Sequence, residues 1–538
     1  MTEPDALSNP SDPATYWSRT NVAEAMPGVL TPLGWSVWGP VCEHACRRAF
    51  AATGALPRNE IGPPDRAEDR AYSIFYGRIA LNVDFFFRMG ESMPGTSGEA
   101  VVRNLLDFVP PNLTTQRSRR RYPVVAVQMP ATFVAIPRRA RRIRRQTESW
   151  YANEITSVSG LDLPGAQRAF SRARDVLMAN TAPQSIAVMC GFQPVYEQLQ
   201  KLATTTFGND ESGATALMRG YGSHAEAAMI EDLWACSRDR MHLDTFLQRH
   251  GYHGPEEGSI QAHVWRESPD PVIKLIESYR ALPEDREPTQ LQRGQATERA
   301  ELERRLIAGL PRHRRPGARA VLALAHTYLP LRGVGKVSYL QPLDIARASA
   351  RRIGQHLVQR NQIDEIDDVF YLTAEEITST PPQEARTLVD QRKERRQHYL
   401  ALDIPNYWQG NLDPEPLPQA LTPSTAARDV RLQATPASPG VVEGIVRVVT
   451  DPSDVDIDLG DILVAHSTDP SWASLMYLAS ALVVDIGGII SHAAVVAREI
   501  GIPCVMGTGD GTRALRTGDR CRVDGSTGTV ELLVPAPN

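Results

Sequence analysis

Lysine is scarce in this sequence. Among 58 basic residues in 538, only Lys201, Lys274, Lys336 and Lys393 are lysines, and the rest are arginines. We attribute the bias to coding preference, but it makes each lysine position informative. With 63 acidic residues the formal net charge is −5, so no overall attraction to nucleic acid or an anionic membrane is expected.

Cysteines are also few, and long apolar runs are missing. Six scattered cysteines suggest no disulfide framework. Cys42 and Cys46 are one helical turn apart while His44 points away, so we interpret them as buried thiols and expect no metal. No apolar run approaches the ~20 residues that span a bilayer, and the polar start lacks the features of a signal peptide. We expect a cytoplasmic protein without membrane contact.

Residues 98–146 are locally basic, but this segment does not read as a nucleic-acid site. Aromatic residues are sparse between its arginines, and the whole chain is acidic. The second arginine cluster is typical of a solvated helix face, and we favour a structural role or a docking surface for an acidic partner. The arginines are Arg117, Arg119, Arg120, Arg121, Arg138, Arg139, Arg141, Arg142, Arg144 and Arg145.

The most informative stretch is 482–506, LVVDIGGIISHAAVVAREIGIPCVM. Its β-branched start predicts a strand, the pair Gly487 and Gly488 predicts a turn, and 491–500 predicts a helix. Gly501 is expected to end that helix in a left-handed conformation. This is a strand–turn–helix unit.

The predicted start of this helix determines the chemical environment of His492. Ser491 is a suitable N-cap, which places His492 in the first turn, where free backbone N–H groups and the positive end of the helix dipole meet. That position favours neutral, nucleophilic imidazole and provides a nest for an attached anion. The pattern suits a phosphohistidine carrier. The alternative is a structural histidine in an ordinary strand–turn–helix unit.

The longer string G-G-x-x-S-H-A-A-V-V-A-R-E-x-G-I-P resembles the phosphohistidine swivelling domain of the phosphoenolpyruvate-utilising enzymes, over about Ala437 to Leu533. The resemblance implies that His492 carries a phosphoryl group, held by the Gly487–Gly488 turn and Ser491, within a compact β/β/α unit. Many relatives have Thr before the Ser/Cys-His pair. Here Ile490 removes that hydroxyl from the vicinity of the phosphate.

Near the N-terminus, the segment YWSRTNVAEAMPGVLTPLGWSVW begins at Tyr16. It resembles the first part of the substrate-binding domain of rifampin phosphotransferase and its relatives. The resemblance implies substrate contacts by Arg19, Asn21 and Glu24. The alternative is a polar network that holds two helices together.

The loop HGYHGPEEG, from residue 250, resembles the G-H-R-x-x-x-E segment that lines the substrate side in the same family. His253 stands where arginine is commoner. With Glu256 it could act as a base toward a substrate hydroxyl. A loop-stabilising role is the alternative.

Arg332 and Lys336 form the R-x-x-x-K pair of the family. The local string GVGK is not a P-loop, because Pro330 and Val337 stand where Gly and Ser or Thr are required. At i, i+4 both cations would share one helix face and could hold a phosphoryl group in transfer. The alternative is a surface pair.

The overall pattern predicts an α+β protein. Residues 1–410, with long helices at 165–250 and 285–330, would form a helical acceptor-binding domain. A Pro-rich linker at 411–438 would lead to the swivelling domain at 439–538, with strands at 441–449, 461–466 and 481–485, helices at 471–479 and 491–500, and a closing hairpin. A flexible 28-residue linker reaches about 30 Å, which suits a mobile carrier.

No ATP-grasp domain or phosphoenolpyruvate-binding barrel is recognisable in the sequence. The resemblance therefore implies a split system. A separate ATP-grasp protein would use ATP and Mg²⁺ to phosphorylate His492, releasing AMP and phosphate, and no cofactor would be bound by this chain alone. The acceptor would be a small, fairly hydrophobic hydroxyl compound. Two alternatives remain: a dehydratase or cyclase with a phosphorylated intermediate, and a non-catalytic small-molecule-binding protein.

Overall fold

The computed structural model describes residues 5–20, 26, 28–64, 66–106, 109–110, 113, 119–207, 213, 216–217, 221, 224–379, 384–417, 430–451, 457–468, 472–488 and 491–536. Helices dominate the first 400 residues and strands dominate the last 110, which confirms the α+β class. None of the described helices has a stretch long and apolar enough to cross a bilayer.

The helices are α1 Pro32–Thr53, α2 Val83–Glu91, α3 Gly98–Leu106, α4 Tyr122–Glu154, α5 Leu163–Ile186, α6 Gln193–Phe207, α7 His224–Ser237, α8 Leu243–His250, α9 Asp270–Arg280, α10 Pro288–Gly309, α11 Arg315–Tyr328, α12 Leu331–Gln359, α13 Ala374–Thr378, α14 Ala385–Leu400, α15 Ala473–Met476, α16 His492–Ile500 and α17 Gly511–Ala514. The strands are β1 Tyr16–Ser18, β2 Tyr72–Phe75, β3 Arg78–Asn82, β4 Leu402–Asp403, β5 Tyr407–Gln409, β6 Glu415–Pro416, β7 Arg431–Gln433, β8 Thr435–Ser438, β9 Val441–Val449, β10 Ile462–Ala465, β11 Ala481–Val484, β12 Cys504–Met506, β13 Arg520–Asp524 and β14 Thr529–Val534.

The chain forms two compact units that interleave along the sequence. The first comprises 1–191, 258–261 and 335–421, and the second comprises 192–257, 262–334 and 422–538. The predicted boundaries at 410 and 438 stay predictions. Strands β7 and β8 fall inside the segment predicted as a linker, and both pair with the sheet of the second unit.

The first unit contains an antiparallel sheet in the order β2-β3-β1-β5 and a set of long helices. Helix α1 begins where Thr31 accepts a hydrogen bond from Gly34 N, and it ends at Gly54, whose φ is +89°. Cys42 and Cys46 lie on this helix, and burial raises the pKa of the Cys42 thiol to about 12.

Helix α4 carries the predicted basic segment. Its buried side chains are Val125, Ile136, Thr147 and Tyr151, which lie along one face. The opposite face is solvated, as the sequence predicted. The exposed arginines on the helix are Arg138, Arg139, Arg141, Arg142 and Arg145.

The second unit is built around an eight-stranded sheet in the order β7-β14-β13-β9-β10-β11-β12-β8. Strands β9, β10, β11 and β12 are parallel neighbours. Every residue of β10, β11 and β12 is buried, as expected for parallel strands covered on both faces. The predicted strands of this region and the closing hairpin are confirmed. The first predicted helix, 471–479, is shorter than expected at Ala473–Met476.

Candidate functional site

The turn after β11 requires glycine at its first position. Gly487 has a φ of +132°, and a Cβ at this residue would lie 2.6 Å from the Cε atom of Met506. Gly488 follows without such crowding, and its carbonyl oxygen accepts a hydrogen bond from Ser491 N at 3.0 Å. The two glycines therefore lie between the carboxyl end of β11 and the N-cap of α16.

Helix α16 has the two ends that the sequence predicted. Ser491 is the N-cap, with extended backbone, and its Oγ accepts a hydrogen bond from Ala494 N at 3.3 Å. Gly501 ends the helix with a φ of +87°. Ser491 is buried, so the cap is shielded from water.

His492 is the first residue of α16 and is 6% exposed. No acidic residue lies in the first turn. The positive end of the helix dipole favours an anion beside the ring. An imidazole at this position can attack phosphorus, and the N-terminus of the helix can stabilise the attached phosphoryl group.

A second polar group lies at the carboxyl end of β11. Asp485 is buried and accepts hydrogen bonds from the hydroxyls of Thr508 at 2.7 Å and Thr512 at 2.5 Å. His466 Nδ1, at the end of β10, lies 3.4 Å from the same carboxylate. Burial alone would raise the pKa of Asp485, but hydrogen bonds from His466, Thr508 and Thr512 together lower it.

Sequence reasoning did not single out His466 or Asp485. A signal was present, since each is the first residue after a fully buried apolar strand. Polar side chains directly after adjacent parallel strands meet at one edge of a sheet, where ligands bind in open α/β sheets.

The geometry around His492 agrees with what the sequence comparison finds. Residues 457–528 match the mobile domain of phosphoenolpyruvate-utilising enzymes. Residues 238–333 match the fourth domain of rifampicin phosphotransferase. Both resemblances expected from the sequence are therefore confirmed over these segments, and His492 with its turn lies inside the mobile-domain match.

Related proteins share parts of the chain. The rifampicin phosphotransferase of Streptomyces sviceus is 31% identical over 54% of this chain and 34% of its own length. That of Bacillus cereus is 28% identical over 54% of this chain and 34% of its own length. The phosphoenolpyruvate synthase of Aeropyrum pernix is 48% identical over 19% of this chain and 13% of its own length. The chain thus spans about a third, or less, of the length of these relatives.

A solved structure of Enzyme I, determined by NMR, is 12% identical over 69% of this chain and 80% of that one. Its TM-score is 0.14, which is too low to inform the fold.

Within the second unit, the helix of the mobile domain packs on the helical segment 192–334. Four alanine and valine side chains of α16 share a hydrophobic core with Trp234, Phe246 and Trp265. Arg498 Nη1 donates a hydrogen bond to the hydroxyl of Tyr196 at 2.5 Å. Gln295 Nε2 donates to the carbonyl oxygen of Glu499. The region that matches the mobile-domain model therefore packs against helices of the same unit.

Two histidine–carboxylate pairs of the second unit lie close together, one between the end of α8 and α7 and one in the loop after α8. His250 Nε2 lies 2.8 Å from Asp232 Oδ2, and His253 Nδ1 lies 2.5 Å from Glu257 Oε2. Both rings are buried, with centroids 6.3 Å apart. Burial lowers the pKa of His250, although Asp232 opposes that effect. The structure pairs His253 with Glu257, while Glu256 is exposed and has a φ of +51°.

Arg332 and Lys336 lie in the first two turns of α12. The structure does not describe the side chain of Arg332. Lys336 is half-buried and belongs to the first unit, while His492 belongs to the second. Their role in phosphoryl transfer stays a prediction.

Arg19 lies in the first unit, directly after β1. Its Nη1 donates a hydrogen bond to the carbonyl oxygen of Ile404 at 3.0 Å. Burial lowers the pKa of its guanidinium, partly offset by Asp403. Asn21 and Glu24 fall outside the described residues, and the substrate contacts predicted for Arg19, Asn21 and Glu24 stay predictions.

Proposed function

We propose that this chain is a phosphotransferase component that carries a phosphoryl group on His492 and transfers it to a hydroxyl of a small, fairly hydrophobic acceptor. The observation that supports it most is the position of His492. The imidazole stands at the capped N-terminus of α16, directly after the Gly487–Gly488 turn and inside the mobile-domain match.

The chemistry has two steps. In the first, a ring nitrogen of neutral His492 attacks phosphorus, and the N–H groups of the turn and first helical turn stabilise the phosphoryl oxygens. We propose that a separate ATP-grasp protein supplies this group from ATP with Mg²⁺, releasing AMP and phosphate. In the second, an acceptor hydroxyl displaces the imidazole. Arg332 and Lys336 are proposed to offset the negative charge in that step.

The acceptor class is supported by the segment that matches the rifampicin phosphotransferase fourth domain. Its interior is aromatic: Phe246 and Trp265 lie with ring centroids 6.0 Å apart, and Tyr252 and Trp265 both contact His253. Relatives named rifampicin phosphotransferase are similar to about half of this chain. Because Phe246 and Trp265 are packed in the core, the support for an acceptor with an apolar body comes from the name of these relatives and not from a described cavity.

The test is a phosphorylation assay on the whole chain. Phosphoramidate serves as a small donor to imidazole, and ATP labelled in its β and γ phosphoryl groups serves with candidate ATP-grasp proteins. We expect an acid-labile, base-stable phosphate on His492, located by peptide mass spectrometry at alkaline pH. His492→Ala should remove it, whereas His313→Ala, at an exposed histidine, should not.

Two results separate the alternatives. If neither donor labels His492, or if His492→Ala is labelled equally, the carrier function is wrong. Supplying the labelled chain with candidate acceptors then distinguishes a stable phosphate ester from a dehydrated or cyclised product.

A further inference from the structure

The pair formed by His466 and Asp485 has no part in the function proposed so far. The side chain of His466 is 63% exposed and that of Asp485 is 1% exposed. The two residues follow paired positions of neighbouring parallel strands, because Ala465 is in register with Val484. A solvent-facing imidazole is thus held on one side by a buried carboxylate.

Hydrogen bonds hold the carboxylate of Asp485 in one orientation. Besides the two threonine hydroxyls, the backbone N–H of Thr512 lies 3.3 Å from both of its oxygens. An ionised acceptor facing Nδ1 favours the tautomer with the proton on Nδ1, which leaves the lone pair on the exposed Nε2. If Nε2 gains a proton, the same carboxylate stabilises the resulting imidazolium.

His466 also lies on the edge of the sheet that leads into the phosphohistidine turn. Its carbonyl oxygen accepts a hydrogen bond from Ile486 N at 2.9 Å, next to Gly487. A Cβ on Gly487 would lie 3.1 Å from the Cβ of Ser491, the residue before His492. The backbone thus connects the His466 pair to the N-terminus of α16 through close contacts on one side of the sheet.

We propose that His466 is the proton acceptor for the hydroxyl that takes the phosphoryl group from His492, and that Asp485 positions it. The hydroxyl oxygen forms a bond to phosphorus while the N–P bond breaks. The other ring nitrogen of His492 carries a proton, so the bonding pair returns to the phosphorylated nitrogen and neutral imidazole leaves. The hydroxyl proton moves to Nε2 of His466. This inference rests on the proposed function, because it needs phosphorylated His492.

The test follows discharge of the phosphorylated chain. The full-length protein is phosphorylated with phosphoramidate, freed of reagent, and shown by peptide mapping to carry phosphate on His492. Loss of that phosphate is then followed by ³¹P NMR between pH 6 and 9, with water and with methanol as the acceptor hydroxyl. Inorganic phosphate and methyl phosphate are resolved in the same spectrum.

We expect His466→Gln and His466→Ala to slow discharge to both acceptors by about ten-fold or more, and to change the shape of its pH profile, because general bases typically contribute 10²–10⁴-fold. Asp485→Asn should also slow discharge and shift its pH profile. His326→Ala is the matched control, since His326 is an exposed histidine of the same unit whose Nε2 lies 3.0 Å from Glu303. It should discharge at the wild-type rate.

Equal discharge rates and pH profiles in wild type and both His466 variants would overturn the inference while leaving the carrier function intact. Slowing to the same extent in His326→Ala would also overturn it, since the effect would not be specific to this edge. If wild type and His466→Ala both fail to carry phosphate on His492, the proposed function fails and this inference with it. Urea unfolding of each variant shows whether a slower rate follows from lost stability.

Discussion

The guanidinium of Arg498, on the helix that begins at His492, donates a hydrogen bond to the hydroxyl of Tyr196 and lies 5.7 Å from the centroid of its ring. Arg498 Nε also donates to the carbonyl oxygen of Ala494 at 3.0 Å. One side chain therefore joins the backbone of α16 to helix α6. This contact links the mobile domain to the helical segment of the second unit.

Tyr196→Phe should weaken this docking. Removing the hydroxyl takes away a charge-assisted hydrogen bond between a buried tyrosine and a partly buried arginine, so we expect a loss of about 1 kcal/mol in the free energy of unfolding. Amide hydrogen exchange in residues 493–500 should become faster. Tyr371→Phe is the control, because the hydroxyl of Tyr371 has no hydrogen bond among the described residues. Unchanged exchange in Tyr196→Phe would show that the contact does not hold the helix.

Gly487→Ala and Gly488→Ala should differ sharply. A methyl group at Gly487 meets Met506 Cε at 2.6 Å on a backbone of positive φ, whereas nothing lies within 4 Å of a Cβ at Gly488. We expect Gly487→Ala to lose more than about 1 kcal/mol of stability and to phosphorylate slowly. Gly488→Ala should change stability little. Urea unfolding and phosphoramidate labelling of His492 measure both effects. Equal stability losses would mean that the turn is not constrained in this way.

Ser491→Ala should affect both the helix and the chemistry at its first residue. Loss of the N-cap typically costs about 1 kcal/mol and leaves the N–H of Ala494 without its acceptor. Thr373→Ala removes an N-cap of the first unit, where Thr373 accepts from Glu376 N, and should cost a similar amount. Only Ser491→Ala should slow phosphorylation of His492. If His492 is labelled at the same rate in both variants, the N-cap at Ser491 has no role in phosphorylation.

Asp485 should make the free energy of unfolding of the second unit decrease at acid pH. Its pKa in the folded chain lies below the unfolded value of about 3.9, so the folded state binds fewer protons between these values. The contribution of Asp485 to the free energy of unfolding is therefore present above about pH 4 and is lost as pH falls through the folded-state pKa.

The stability difference between wild type and Asp485→Asn should accordingly shrink as pH is lowered from 7 toward 3. Urea unfolding at a series of pH values measures it. Asp285→Asn, at an exposed carboxylate, should show no such trend. A difference that is independent of pH would show that the carboxylate is not preferentially ionised in the folded chain.

Local features of the carrier region could be predicted from the sequence. The N-cap at Ser491, the left-handed end at Gly501 and strand β9 at Val441–Val449 all have the expected positions. Each depends on chemistry within a few residues: a hydroxyl before a helix, a glycine after it, and a run of β-branched residues. Short-range signals of this kind do not need the tertiary structure.

Contacts between distant segments could not be predicted in the same way. Tyr196 and Arg498 are 302 residues apart, and nothing in either local pattern indicates the other. Even between neighbouring residues, the local sequence does not always predict which side chain makes a contact. Glu256 and Glu257 are equivalent in sequence, but the positive φ of Glu256 turns the chain so that Glu257 contacts His253. Backbone direction, rather than residue type, decides which carboxylate meets the ring.

The pairing of strand β1 has a consequence for folding during translation. Trp17 pairs with Asn82 on one side and with Trp408 on the other. The second neighbour is synthesised about 390 residues after the first strand, which at roughly 5–20 residues per second is a delay of about 20–80 s on the ribosome. Throughout translation one edge of that strand has no partner from its own sheet, so nascent chains depend on early protection of this edge against aggregation.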